Sequence, residues 1–208
     1  SGTKTLVPYG GEVDRVLVAA RTAAEGTEAT DWDGLSLFVV DPGAEAVSAT
    51  ALDSLDRTRP MYELTFDDLA LDEEAVLGTP GDAGQALRRA MDNYTVAATA
   101  MLVGAADRAV DLSVEYGNDR EQYGQPIGKF QAVKHRAADM WIDVQSARSL
   151  VYYAAWALEN GESDAERAVA ATKAYAGDRL HRVFSDDIWN HGGMGYTWDH
   201  DSHIYLKQ

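Results

Sequence analysis

The stretch Asp119-Arg-Glu-Gln-Tyr-Gly-Gln-Pro-Ile-Gly-Lys-Phe-Gln-Ala-Val-Lys-His-Arg-Ala-Ala-Asp-Met140 changes character part-way along. Its first half is polar and interrupted by Gly124, Pro126 and Gly128, the chemistry of a turn. From Val133 onward the apolar residues enter helical register. Val133, Ala137, Met140, Val144, Ala147, Val151, Ala154 and Leu158 step by four and three in strict alternation. That spacing lays one narrow apolar seam along about seven turns of helix, and Gly161 closes it. A seam this long needs other helices to cover it.

Both flanks supply them. Upstream, Asp82 followed by Gln85 has the spacing of a capping box, and Met91, Tyr94, Ala98, Met101 and Ala105 continue at helical intervals until Gly117-Asn118. Downstream, Ser163-Asp-Ala-Glu166 is a second capping-box arrangement. Val169, Ala176, Leu180 and Val183 then share one face, and Gly192-Gly193 stops the helix. The tail from Asp199 begins a fourth. Long helices joined by short loops make an antiparallel bundle. Residues 1 to 80 read differently. Arg15–Ala20 and Leu35–Val40 are short apolar runs bounded by Gly, Asp and Pro, and Tyr62–Phe66 alternates with period two. The expected fold class is α+β, with an antiparallel sheet or half-barrel over residues 1–80 followed by a helix bundle over 81–208.

Composition narrows the function. The net charge is −16, with 34 acidic residues against 18 basic ones, so a duplex nucleic-acid partner, which needs basic surface, is not expected. Two explanations of the acidity stay open, adaptation to salt and ordinary solubility with biased codon usage. There is no cysteine, which excludes disulfides and thiolate chemistry. No run approaches the roughly 18 apolar residues of a membrane span, and no signal peptide is visible at Ser1-Gly-Thr-Lys-Thr5, so a cytoplasmic location is expected. His200-Asp-Ser-His203 with Asp199 has a metal-ligand spacing but sits at a polar chain end, and no metal is expected there. His135 and His181 lie within helical patterns and read as hydrogen-bonded structural histidines. The Gly-Gly-x-Gly run follows a helix rather than a strand and so does not match a dinucleotide fingerprint.

Three motifs stand in order: Arg120-x-Gln-Tyr-Gly124, Phe130-Gln-Ala-Val-Lys134 and His191-Gly-Gly-Met-Gly-Tyr196. Together they resemble the acyl-CoA dehydrogenase family. The opening, Gly2–Gly10 and Asp14–Arg21, looks like the family's middle β-domain, and residues 82–208 look like most of its C-terminal helical domain. The family's N-terminal helical domain is not matched in this chain. The resemblance implies FAD as cofactor, an acyl-CoA as substrate, α,β-dehydrogenation as the reaction, and a homo- or hetero-oligomer, dimer or tetramer, whose subunits share the FAD site.

Residue by residue, the resemblance implies that Arg120 meets the FAD pyrophosphate across a subunit interface, where a planar guanidinium can bond phosphate oxygens bidentately. Gln122 and Tyr123 belong to the same loop, with Phe130 and Gln131 beside the nucleotide. Gly192 and Gly193 form a turn close to the cofactor, since glycine lacks a Cβ. Asp92 falls near the CoA portion. Three positions depart from the pattern. Tyr94 stands where many members carry the catalytic glutamate, whose other family location lies beyond Gln208, so no catalytic base is assigned. Trp189 replaces a glutamine that faces the adenosine part of FAD. Pro8 replaces a hydroxyl residue beside the flavin ring, and proline has no N–H or hydroxyl to offer. These departures motivate a second reading, a non-catalytic partner subunit that completes a neighbour's FAD site. A flavin-dependent monooxygenase on the same fold is a third.

Overall fold

The computed structural model describes residues 1–22 and 32–207. The chain divides into two compact units, Ser1–Ala90 and Met91–Gln208.

The first unit is built from antiparallel strands: β1 (Gly2–Pro8), β2 (Val16–Arg21), β3 (Leu35–Val40), β4 (Val47–Leu52), β5 (Met61–Phe66) and the short β6 (Val76–Leu77). They form two three-stranded sheets, ordered β1-β5-β4 and β2-β3-β6. The period-two pattern of Tyr62–Phe66 works as alternation requires: Leu64 and Phe66 are buried and join Val40 in one core. Val16, Val18 and Phe38 reach that core from one sheet, and Val7, Val47 and Tyr62 from the other. The three strands expected from sequence are present within a residue at each end. β1 and β4 were not anticipated. β1 carries a register shift between Lys4 and Val7, with Leu6 at φ 55°, and β4 exposes four of its six residues.

The second unit is helical. α1 (Gly84–Asp119) is 36 residues long and begins in the first unit. A two-residue hairpin, β7 (Glu121–Gln122) and β8 (Gln125–Pro126), leads through a 3-10 turn into α2 (Gln131–Asn160). α3 (Ala165–His191) and the short α4 (Ser202–Lys207) follow, separated by a 3-10 segment at Gly192–Tyr196. The α2 seam is buried as its spacing dictates: Met140, Val144, Ala147, Val151 and Ala154 are all in the core, and the next buried position is Ala157 rather than Leu158. On α3, Val169, Ala176, Leu180 and Val183 are buried. Alanines at 106 and 109 on α1, 147 and 154 on α2 and 176 on α3 have essentially no exposure, and residues this small let helices approach closely. Thr172 ties α3 to α2 by donating to the Leu150 carbonyl at 3.1 Å.

Two local expectations are corrected. The buried face of α1 is not Met91-Tyr94-Met101, which are 49%, 60% and 66% exposed, but the adjoining face of Thr99, Val103, Ala106, Ala109, Val110 and Ser113. Helical spacing was right and the phase was wrong, because large apolar residues drew the assignment away from a stripe of small and hydroxyl residues. Thr99 is buried without penalty because its hydroxyl donates to the Thr95 carbonyl at 2.7 Å. Neither capping box forms as read. α1 starts from Ala83, whose N–H bonds the Leu35 carbonyl and whose carbonyl receives Leu87 N–H. At α3 the N-cap position is Asp164, which makes no cap bond. Its carboxylate instead accepts from Tyr153 at 3.0 Å and from Arg167 at 3.2 Å. The glycine stops are as expected: Gly161 is left-handed at φ 66° and Gly192 lies at φ 59°.

Leu180 and Ala154 test this core from opposite directions. Leu180→Ala should cost about 2–5 kcal/mol by leaving a cavity, and Ala154→Leu about 1–3 kcal/mol by overfilling the α2–α3 contact. Denaturant unfolding of both variants checks the pair.

Candidate functional site

Helix α1 ends at Asp119 and the chain turns back at once. Arg120 N–H still bonds the Tyr116 carbonyl, and the Arg120 carbonyl receives Ile127 N–H. The hairpin is thereby closed at its base. Gly128 sits directly on the end of α1: a Cβ there would lie 2.9 Å from the Gly117 carbonyl oxygen. Tyr123 and Gly124 form the two-residue tip, with φ 54° and 76°. Positive φ at both positions is what a tight hairpin of this twist needs, and asparagine or glycine usually supplies it. Here a tyrosine does, and it is 94% exposed. Its ring stands edge-on to Phe130 at 6.1 Å between centroids. Arg120 and Gln122 are exposed. The Arg120 guanidinium forms no ion pair among the described residues, while Gln122 donates to the Glu121 carbonyl at 2.8 Å. Gln131 opens α2 with Phe130 at its N-cap position.

At the end of α3, Trp189 is 65% exposed. The Arg136 guanidinium from α2 lies 5.9 Å from its ring centre, and is itself held by Asp186 at 3.4 Å and Asn190 Oδ1 at 3.4 Å. The glycine turn follows. A Cβ on Gly192 or Gly193 would meet nothing within 4 Å, so their outer side is open. Gly195 differs. A Cβ there would come 2.7 Å from the Ile188 carbonyl oxygen and 3.1 Å from His191 Cβ. Close packing within the chain therefore demands glycine at 195, a role the sequence did not reveal.

A buried polar cluster lies under the turn. Asp187 has no exposure, and its Oδ1 accepts from the Ser113 hydroxyl of α1 at 2.7 Å. His191 Nδ1 lies 3.2 Å from the same Oδ1 and 2.8 Å from the Asp187 carbonyl oxygen. The His191 ring makes tilted contacts with Tyr116 at 4.6 Å and with His200 at 4.1 Å between centroids. Burial works to lower the His191 pKa, but the hydrogen bonds and charge of Asp187, with the Leu112 backbone, outweigh it and raise the pKa above its usual value. His200 is pushed the other way, first by burial and then by the charge of His191. Asp187 Oδ2 is buried without a partner.

This cluster brings two of the sequence motifs together. Tyr116, one turn before Arg120, stacks on His191, one residue before Gly192. Arg136, near the start of α2, reaches Trp189 and Asn190. Arg120, Phe130, Gln131, Trp189 and Gly192 thus belong to element ends gathered at one end of the helical unit. Asp92 and Tyr94 are not there. They lie on the first turns of this unit's part of α1, and 28 residues at 1.5 Å each place Asp92 about 40 Å along the helix from Arg120. His135 and His181, read as hydrogen-bonded structural histidines, are exposed. The structural histidine is His191, hidden in the sequence because it belongs to the glycine motif. His200 Nδ1 is taken up by Ser202, and His203 Nδ1 lies 3.2 Å from Lys207 Nζ. No group of three potential metal ligands occurs among the described residues, nor any helix long and apolar enough to cross a membrane.

Three comparisons with known proteins agree. The profile of the acyl-CoA dehydrogenase C-terminal domain matches residues 84–208. The acyl-CoA dehydrogenase IpdE2 of Mycolicibacterium smegmatis is 31% identical over 89% of this chain and 50% of its own length. The glutaryl-CoA dehydrogenase of Desulfococcus multivorans is 30% identical over 96% of this chain and 51% of its own. Among solved structures, butyryl-CoA dehydrogenase from Megasphaera elsdenii superposes with a TM-score of 0.88 at 27% identity, covering 99% of this chain and 53% of that one. A glutaryl-coenzyme A dehydrogenase in complex with glutaryl-CoA gives 0.90 at 29%, covering 99% and 52%. The chain spans about half the length of the relatives it matches.

Two substitutions probe the cluster and the turn. Ser113→Ala should cost about 1–3 kcal/mol, because it removes the hydroxyl donor of a fully buried carboxyl group. Gly195→Ala should destabilise markedly while Gly193→Ala leaves the unfolding midpoint nearly unchanged, a contrast that thermal denaturation would record. The buried seams, the two antiparallel sheets and the profile match establish that this chain belongs to the acyl-CoA dehydrogenase family.

Proposed function

We propose that the protein carrying this chain is an FAD-dependent dehydrogenase that oxidises the α,β-bond of an acyl-CoA thioester, with its FAD site completed between subunits. The observation that carries the reading is the gathering of the Arg120 hairpin, the start of α2 and the Gly192 turn at one end of the helical unit through Tyr116 and His191. When bound, FAD supplies the hydride acceptor for the β-carbon of the substrate.

The residues present fit a dinucleotide. Arg120 offers an exposed guanidinium with no ion pair among the described residues, suited to pyrophosphate oxygens. Gly192 and Gly193 leave open space where a side chain would stand, so an anionic group can approach their backbone. Gln122 and Gln131 add amide groups, and Tyr123, Phe130 and Trp189 add aromatic surface. Trp189 in place of glutamine exchanges a hydrogen-bonding contact for a flat ring, braced on one side by Arg136. Asp92 and Tyr94, at the far end of α1, serve the acyl-CoA portion. On this reading the β-unit covers residues 1–80 and the bundle 81–208.

One observation favours a second role. Tyr94 occupies a family position of the catalytic glutamate, and a phenol is a poor base at neutral pH. Either a carboxylate elsewhere in the protein removes the α-proton, or the chain belongs to a partner subunit that completes the FAD site of another.

The purified protein at its full natural length should show a flavin absorption spectrum that bleaches when a matching acyl-CoA is added without oxygen. Arg120→Ala should weaken FAD binding by roughly ten- to a hundredfold, the scale of a charge-assisted hydrogen bond, without changing the folded spectrum. A flavin that no thioester bleaches moves the assignment to the partner role. A protein without flavin in any assembly refutes the reading.

A further inference from the structure

The stacked imidazoles under the glycine turn can be assigned protons from geometry. His200 Nδ1 lies 3.2 Å from the Ser202 backbone N–H. A backbone N–H can only donate, so Nδ1 accepts and His200 is neutral with its proton on Nε2. His191 differs at the same atom. Its Nδ1 faces only acceptors, the Asp187 carbonyl oxygen at 2.8 Å and Asp187 Oδ1 at 3.2 Å, so Nδ1 carries a hydrogen, and the buried Asp187 carboxylate beside it favours a second on Nε2. The Leu112 backbone also bonds the ring in the sense that favours the charged form. The two ring centres are 4.1 Å apart, a separation at which two positive charges, one of them buried, repel.

We propose that His191 and His200 carry one positive charge between them, on His191, and that this singly charged pair is the positioning device that fixes the Gly192–Tyr196 turn for the dinucleotide. The inference rests on the flavin reading given above and adds to it a pair of residues that act through the turn. The pair links three elements. His191, the last residue of α3, is tied to Asp187 one turn earlier, and through Asp187 to Ser113 of α1. Tyr116 of α1 packs against the imidazole. His200 packs against it as well, and is bonded to Ser202 at the start of α4. The turn is the segment spanned between the two histidines. Gly195 packs closely against His191 Cβ and the Ile188 carbonyl, so the turn rests directly on the residue that carries the imidazole.

The facing charged and titratable groups set the pH response. Asp187 on α3 favours a charged His191. From the far side, Asp201 raises and His203 lowers the tendency of His200 to take a proton, and His191 itself lowers it. Tyr116 faces with its ring, and Ser113 is uncharged. The His191 pKa is raised, so its contribution is complete below the ordinary histidine value and is lost as pH rises through the raised one. The His200 pKa is lowered, so its contribution is present above the ordinary value and is lost as pH falls through the lowered one. The turn is therefore held best near the middle of the histidine range. On either side, FAD must restore an order that the pair no longer maintains, and apparent affinity drops accordingly.

The test is FAD affinity of the full-length protein from pH 5 to 9, with a thermal stability profile alongside, for wild type, His191→Gln, His200→Gln and Asp187→Asn. Wild-type affinity should pass through a maximum and fall at least about fivefold on each side. His191→Gln should abolish the alkaline limb and His200→Gln the acid limb, while Asp187→Asn should move the alkaline limb to lower pH. A flat wild-type profile, or an alkaline limb that survives His191→Gln, overturns the proposal. The protein has five histidines, few enough to follow individually by NMR after ring labelling. Should the wild type bind no FAD at any pH, the flavin reading fails by itself. The pair is then judged by these titrations and by thermal stability: one histidine above and one below the ordinary value supports it, and two unshifted titrations overturn it.

Discussion

Asp187 is the constraint on which the functional end of the helical unit depends. A carboxyl group with no exposure is costly to bury unless its hydrogen bonds are satisfied. Here the partners come from two directions, Ser113 on α1 and His191 on its own helix. Satisfying this one group fixes the rotation of α1 against α3 and places the last turn of α3 beside Tyr116. The loop after α1 and the glycine turn after α3 are then held at the same end. Removing one partner of such a cluster costs more than the bond itself contributes, because the remaining polar atoms stay buried. Oδ2, already without a partner, leaves little tolerance for further loss.

How far the fold could be read from sequence depended on which residues carried the signal. The α2 seam was legible because its apolar residues alternate by four and three without a break, and because α2 is covered along that line from Met140 to Ala154. Gly161 and Gly192 were legible because helix C-termini favour positive φ. The face of α1 was not. Its buried stripe contains two alanines, and Thr99 and Ser113, whose burial depends on partners in other turns or helices. The capping boxes failed for a related reason: Asp164 found Tyr153 and Arg167, and Ala83 found Leu35, which are tertiary alternatives to a local cap. β4 was missed because most of it is exposed and carries no alternating pattern.

The candidate site shows the same division. Arg120, Tyr123 and Gly192 could be named because they stand in short motifs, but their meeting at one end could not be seen. That depends on Ser113 and Tyr116, which precede the first motif in the interior of α1, and on His191 serving as a buried structural residue. Gly192 and Gly193 were named as the approach to the cofactor, whereas Gly195, to which no role was given, is the one in close packing, against Ile188 and His191. Tyr123 carries a different message. A fully exposed tyrosine at positive φ is unfavourable for the isolated hairpin, and backbone strain of this kind concentrates where a ligand or partner makes use of it.

The central claim is that the hairpin at Arg120 and the turn at Gly192 form one surface for the nucleotide part of FAD. An experimental structure of the flavin-loaded, full-length protein tests it most directly. The account predicts pyrophosphate oxygens within hydrogen-bonding distance of the Arg120 guanidinium and the adenine-bearing half beside Trp189 and the Gly192-Gly193 backbone. A flavin bound with its pyrophosphate against other residues, leaving both segments open to solvent in every subunit, would contradict it.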